Sequence, residues 1–257
     1  PQPNLTVRLH KNISEDFLKE VADTIKLGFG MPQLFNDEIV IPGLLKKGIP
    51  IEEARNYAII GCVEIGIPGK HLGLSDAALF NLGKLLEITM TDGVDRLTKT
   101  RVAPPLRKDF RNFNEFEETL KERMKHFIHY MVDGCNVVDK IHARLMPTPL
   151  LSCVIDDCIE KGLDVSNGGA RYNFTSPQAV GIANLADSLF VLKEFVFDEQ
   201  NVSFEELNNI LDSNFEGNER LRQKVLNLYP KFGNDIDEVD LIAAKWQRNI
   251  VDWSLIM

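Results

Sequence analysis

An α/β arrangement, with short strands buried among long helices, is the fold class this sequence predicts, and three observations predict it. Short apolar runs such as Tyr57-Ala58-Ile59-Ile60 alternate with longer stretches of helical periodicity. Capping residues stand at the heads of those stretches and glycine or proline at their ends. With 257 residues and 44% apolar content, the chain can bury a sizeable core. No repeat, low-complexity tract or flexible linker interrupts it, so the sequence reads as one domain or a piece of one.

Taken in order, Leu5-Thr6-Val7-Arg8-Leu9 alternates like a strand, and Ser14 caps a helix that runs to Leu27 and stops at Gly28. Residues 31 to 37 read as a loop, and Ile39-Val40-Ile41 as a short strand ended by Pro42-Gly43. A short helix over 50 to 55 leads into a strand ending at Cys62. After the loop Gly66-Ile67-Pro68-Gly69-Lys70, Ser75 or Asp76 caps an amphipathic helix through Thr91. Asn114-Glu115-Phe116-Glu117 has the shape of a capping box and opens a helix to Leu145. Pro147 and Pro149 break it, and a further helix reaches Lys161 with Gly162 as its stop. Gly168-Gly169 is a turn, Ser176-Pro177 opens another helix, and Ser203-Phe204-Glu205-Glu206 opens one more.

Composition excludes several functions. The net charge of −9, with no basic patch, argues against nucleic-acid binding. No apolar window reaches the length of a membrane span. Pro1-Gln2-Pro3-Asn4 is neither a signal nor a transit peptide and lacks an initiating methionine, which predicts a processed or truncated chain. Cys62, Cys135, Cys153 and Cys158 show no metal-binding spacing, so zinc and iron–sulfur sites fail and a reduced, cytoplasmic protein is expected. The histidines form no H-E-x-x-H. Gly168-Gly169 lacks the spacing of a phosphate cradle.

The residues that point to chemistry are Gly61-Cys62-Val63-Glu64. In extended chain, side chains two apart face the same side, with Cα atoms roughly 6–7 Å apart. A sulfur atom and a general base at that spacing can reach adjacent atoms of one small substrate. The competing reading is a buried structural cysteine beside a solvated glutamate.

The wider pattern decides between them. Asn56-Tyr57-Ala58-Ile59-Ile60-Gly61-Cys62-Val63-Glu64, Pro68-Gly69-Lys70 and Ser75-Asp76-Ala77-Ala78-Leu79-Phe80-Asn81-Leu82 resemble the glycyl radical enzymes. The likeness is to the pyruvate formate-lyase-like branch that contains the B12-independent glycerol and propanediol dehydratases. Phe35-Asn36-Asp37-Glu38, Gly168-Gly169-Ala170-Arg171-Tyr172-Asn173-Phe174-Thr175, Gly181-Ile182-Ala183-Asn184-Leu185-Ala186-Asp187-Ser188 and Tyr229-Pro230-Lys231-Phe232-Gly233-Asn234-Asp235 fit the same family in the same order. Pyruvate formate-lyase itself carries two adjacent cysteines, whereas Gly61 precedes Cys62 here, which argues for the single-cysteine eliminases.

The resemblance implies a mechanism and a set of roles. A glycyl radical outside this chain, installed by an S-adenosylmethionine-dependent activase, makes a thiyl radical at Cys62, and no other cofactor is bound. The thiyl abstracts hydrogen from substrate, and Glu64 takes the proton of the neighbouring hydroxyl. Asp76 matches an aspartate that holds substrate hydroxyls, its alternative being a plain helix N-cap. Ser75 departs from the histidine frequent before that aspartate, a difference that bears on the substrate. His71 could reach the site from its loop, the alternative and the expectation being a solvent-exposed loop histidine, and Phe35, Tyr57 and Tyr172 are expected in packing roles.

The implied fold is a ten-stranded α/β barrel, with residues 1–257 as part of its second half and outer helices. The R-V-x-G-Y glycine loop is missing from the sequence, so a chain consisting of this stretch alone is expected to be inactive. The implied activity is dehydration of a small diol such as glycerol or propane-1,2-diol. Alternatives are hydroxyproline dehydration, choline or isethionate cleavage, arylacetate decarboxylation, or a non-catalytic scaffold. The implied partners are a small-molecule substrate, the activase, and a second copy or the remainder of the polypeptide, with neither nucleic acid nor membrane.

Overall fold

The structure, a computed structural model, describes residues 4–107 and 109–256, the last four of these by backbone alone. The chain runs β1 (Thr6–Leu9), α1 (Glu15–Lys26), β2 (Gln33–Asn36), α2 (Asp37–Lys46), α3 (Ile51–Ala54), β3 (Ala58–Ile60), β4 (Glu64–Gly66) and β5 (Ser75–Asn81). It continues through α4 (Leu82–Met90), α5 (Phe113–Leu145), α6 (Pro149–Ser152), α7 (Cys158–Lys161), β6 (Ser176–Val180) and α8 (Ile182–Val191). It ends with α9 (Phe204–Asp212), α10 (Glu219–Asn227) and α11 (Asp237–Ile256). The strands form three two-stranded sheets, β1 with β2, β3 with β4 and β5 with β6. The mixed α/β class expected from sequence is observed. No helix of the described residues is long and apolar enough to cross a membrane.

Internal contacts divide the chain into two units. The first comprises residues 1–77 and 137–176. Within it, β1 and β2 pair in parallel, Thr6 opposite Gln33 and Leu9 opposite Asn36. The helix α1 forms as the sequence predicts, with the Ser14 hydroxyl accepting from the Phe17 N–H at 3.3 Å. Leu44, Ile49, Ala54, Tyr57 and Ile67 make the core that underlies the β3–β4 hairpin.

The second unit comprises residues 78–136 and 177–257 and is mostly helical. Its core joins α4, α5, α8 and α11 through Leu82, Phe116, Leu120, Leu185, Leu189 and Trp246, each fully buried. Arg123 on α5 is buried with them and donates to the Pro104 carbonyl at 2.6 Å.

Six sequence-based assignments are corrected. Residues 33 to 36 form a strand rather than a loop, because β1 supplies a partner. Ile39-Val40-Ile41 lies in α2 and is not a strand. Asn36 caps that helix, its side chain accepting from the Glu38 N–H at 2.9 Å, and Pro42 sits inside it. Burial of Leu44, with Val40 and Ile41 packed on the same core, outweighs β-branched preference. Ser75 and Asp76 begin β5, and the cap of the next helix is Asn81, whose side chain accepts from the Lys84 N–H. Ser176-Pro177 opens β6, and the helix waits until Ile182, after Gly181. Between Pro149 and Lys161 two single helical turns replace the one expected helix. The α5 cap likewise falls at Asn112, which accepts from the Glu115 N–H at 3.0 Å.

Candidate active site

The local sequence around Cys62 folds as a hairpin. Ile60 pairs with Glu64, Ile59 with Ile65 and Ala58 with Gly66 in antiparallel register, which leaves Gly61-Cys62-Val63 as a three-residue loop. The expected strand therefore ends at Ile60, and Cys62 does not alternate with Glu64 along extended chain. Their proximity comes from the turn. Gly61 adopts φ +60°, which favours glycine.

The Glu64 side chain folds back over this turn. Its Oε2 accepts from the Cys62 N–H and from the Val63 N–H, both at 2.8 Å. A Cβ at position 61 would lie 3.0 Å from the same oxygen. Gly61 thus supplies both the backbone conformation and the room for the carboxylate. Burial pushes the Glu64 carboxyl up, but backbone N–H groups of Val63, Glu64 and Cys62 outweigh it, and the group lies below the ordinary glutamate value. The Cys62 thiol is exposed at the hairpin tip and unpaired in any disulfide. An accessible sulfur thus sits on the turn whose amides hold an ionised carboxylate.

Asp76 does not share that turn. It stands exposed near the start of β5 with φ +53°, a left-handed conformation that aspartate tolerates, five residues before Asn81, which caps the next helix. Its reading as a helix N-cap is therefore removed.

His71 is buried at 5% exposure and is not a loop histidine in solvent. The segment around it is tied down by Tyr172, whose N–H donates to the Lys70 carbonyl at 2.9 Å and whose carbonyl accepts from the Leu72 N–H at 3.3 Å. The imidazole packs on the Phe174 ring, centroids 5.3 Å apart, and burial holds its pKa below the ordinary value. Tyr57 and Tyr172 do more than fill space. The Tyr57 hydroxyl donates to Asp37 at 2.7 Å and the Tyr172 hydroxyl to Glu53 at 2.6 Å. Burial and those carboxylates push both phenols up to about 12. Glu53 also receives Lys70 at 2.7 Å and Arg171 at 3.3 Å. This cluster joins α3 to the segments on either side of His71 and Tyr172. Sequence reasoning missed it, because its members are far apart in the chain and each is an ordinary surface residue type.

No group of three or more histidine, cysteine, aspartate or glutamate side chains among the described residues is arranged to hold a metal ion.

Three comparisons bear on this geometry. The family model described as pyruvate formate lyase-like matches residues 1–254. The trans-4-hydroxy-L-proline dehydratase of Clostridioides difficile is 40% identical over 248 residues, covering 95% of this chain and 31% of that protein. The (2S)-3-sulfopropanediol dehydratase of Klebsiella oxytoca is 34% identical, covering 93% of this chain and 29% of that protein. Among solved structures, the glycerol-bound form of the B12-independent glycerol dehydratase from Clostridium butyricum superposes with a TM-score of 0.87 at 40% identity. That match covers 98% of this chain and 32% of the other. The chain thus spans about a third of the length of the relatives it matches.

Proposed function

The chain belongs to the pyruvate formate lyase-like family, and on that premise we propose that it carries the catalytic hairpin of a glycyl radical lyase that dehydrates a small diol such as glycerol or propane-1,2-diol. One observation carries the reading: an exposed thiol at the tip of a hairpin whose amides hold the Glu64 carboxylate ionised.

A glycyl radical, supplied from outside this chain after action by an S-adenosylmethionine-dependent activase, would take the hydrogen atom of the Cys62 thiol. An exposed thiol on a narrow turn suits such a transfer, which needs close approach and no lowered pKa. Cys62 Sγ then takes a hydrogen atom from the hydroxyl-bearing carbon of the substrate, re-forming S–H and leaving a carbon radical. Glu64 accepts the proton of that carbon's hydroxyl, and the resulting ketyl expels the neighbouring hydroxide. Hydroxide and the proton held by Glu64 leave as water. The product radical recovers a hydrogen atom from Cys62, and the thiyl radical this leaves takes back the hydrogen atom held by the glycine, which restores both the thiol and the glycyl radical. A base already ionised at neutral pH is what this sequence requires. The exposed Asp76 carboxylate on β5 is assigned to the substrate hydroxyls.

The wider expectations belong to the same reading. The chain is taken as part of a ten-stranded α/β barrel that works as a dimer or against the rest of its polypeptide. A cytoplasmic location follows from the need to keep Cys62 reduced. A second reading, dehydration of a hydroxyproline-like substrate, is favoured by the identity to the Clostridioides difficile protein. Both use Cys62 and Glu64 alike.

The test is Cys62→Ser in the activated full-length protein. Turnover is expected to vanish while the electron paramagnetic resonance signal of the glycyl radical persists. Retained turnover, or loss of that signal, would contradict the assigned role.

A further inference from the structure

A three-residue loop between strands of three residues each is too small to hold itself in place, since an isolated hairpin is marginal in water. Ile59 and Ile65 seat it on the core beneath, and residues from the β1 segment add polar contacts at its tip and its root. Asn4 donates through Nδ2 to the Gly61 carbonyl at 2.8 Å, at the tip. Arg8 donates through one guanidinium nitrogen to the Tyr57 carbonyl at 3.2 Å, at the root. The partners step in opposite directions, 4 to 8 against 61 to 57. Side chains from the β1 segment therefore flank β3 as an antiparallel neighbour would, in place of a backbone ladder.

Arg8 is itself fixed on three sides. Its Nε and a terminal nitrogen grip the two Asp37 oxygens, each at 2.8 Å, and its guanidinium carbon lies 3.9 Å from the centre of the Tyr57 ring. The Tyr57 hydroxyl closes the ring of contacts on Asp37, the first residue of α2. The carbonyl, ring and hydroxyl of the residue just before β3 are thus all held by one ion pair.

The tip contact has the more direct consequence for chemistry. The Gly61 carbonyl belongs to the peptide that enters Cys62, so rotating that peptide swings the thiol, and the Asn4 hydrogen bond opposes the rotation. We propose that Asn4 and Arg8, anchored on Asp37, form a strap of positioning residues that sets where the Cys62 sulfur stands. The proposal rests on reading Cys62 as the reacting thiol. Atom transfer at van der Waals range is sensitive to placement, and an error of about 1 Å costs on the order of 100-fold in rate.

The experiment uses the full-length protein with two substitutions, Asn4→Ala, which removes one tip hydrogen bond, and Arg8→Lys, which keeps the charge but loses the fork. Hydrogen–deuterium exchange over residues 58–66 is read beside steady-state kinetics. Exchange there is expected to rise about tenfold in both variants while the rest of the first unit changes little. The kcat is expected to fall roughly 10- to 100-fold at nearly constant KM. Unchanged exchange over 58–66 in Asn4→Ala overturns the strap. So does a rise spread over the whole first unit, which would mark a general folding role. A rise confined to 58–66 with unchanged kcat overturns the positioning role. Turnover that survives Cys62→Ser instead overturns the reading of Cys62 and the positioning role with it, while the exchange measurement still reports the strap independently.

Discussion

Gly61→Ala separates what the turn needs from what Glu64 needs, because a matched control exists in the same unit. Gly61 has φ +60° and Gly162, at the end of α7, has φ +62°. A Cβ at Gly162 would meet nothing within 4 Å, whereas at Gly61 it would lie 3.0 and 3.2 Å from the two Glu64 carboxylate oxygens. Both alanines carry the left-handed penalty of about 1–2 kcal/mol. Only Gly61→Ala also crowds the carboxylate that accepts two charge-assisted amide bonds. Each such bond is worth roughly 1.5–3 kcal/mol when intact. The carboxylate is half-exposed and can shift by a few tenths of an ångström without losing both bonds, so we expect an extra cost of about 1–2 kcal/mol. Urea midpoints of the two variants at pH 7 measure the difference. The pH dependence checks its origin. Glu64 lies below its ordinary value when folded, so its contribution is complete above the unfolded pKa of about 4.3 and disappears as pH falls through the folded value. The gap between the variants should close at low pH, and the acid limb of activity should move upward in Gly61→Ala alone. Equal midpoints at pH 7, or a gap that persists in acid, would refute the carboxylate–amide account of this hairpin.

Two further outcomes are expected. Asp164 accepts from the side chain and N–H of Ser166 on one oxygen and from the Thr148 N–H and Ser152 hydroxyl on the other, at 2.7–2.9 Å. Its Ser166 bonds, with those from Thr148 and Ser152, hold it at about 2 against the opposing effect of burial. Asp164→Asn should cost about 1–3 kcal/mol by turning a donor toward another donor. It should also abolish a loss of stability that the native protein shows as pH falls from about 4 toward that lower value. Acid titration followed by circular dichroism checks both. Leu120→Ala, at a fully buried position of the second unit, should cost about 2–5 kcal/mol, read as a lower denaturation midpoint for that unit. A cost below about 1 kcal/mol would mean that the assigned core is wrong.

The sequence was most legible where the determining contacts are local. Ser14, Ser203 and Gly162 mark helix ends as read, because a cap is satisfied by residues three or four positions away. It was least legible where a distant partner decides. Gln33–Asn36 is a strand only because β1 lies beside it, and Ser75, Asp76 and Ser176 carry cap-like side chains in segments that pair as strands. Their residue types favour helix starts and turns equally, and nothing nearby breaks the tie.

The candidate site shows both regimes in one place. That Cys62 and Glu64 are neighbours was readable from their spacing, but the reason was not. Alternation along a strand would put two side chains on one face and leave their backbones to a sheet partner. Here the carboxylate instead satisfies the amides of Cys62 and Val63, which a three-residue loop leaves without a ladder partner. Glu64 is therefore needed twice, once to close the turn that presents the sulfur and once, in the proposed reaction, as the base. The two needs pull together, because the amide bonds that close the turn are the same ones that keep the carboxylate ionised. A glutamine at this position could still accept the amide bonds through its carbonyl oxygen, but it could not take the proton. Glu64→Gln should consequently keep hairpin protection in hydrogen exchange within about threefold of native while turnover falls on the order of 1000-fold. Glu64→Ala should lose both together. If Glu64→Gln retained turnover, the carboxylate would be a structural cap and nothing more.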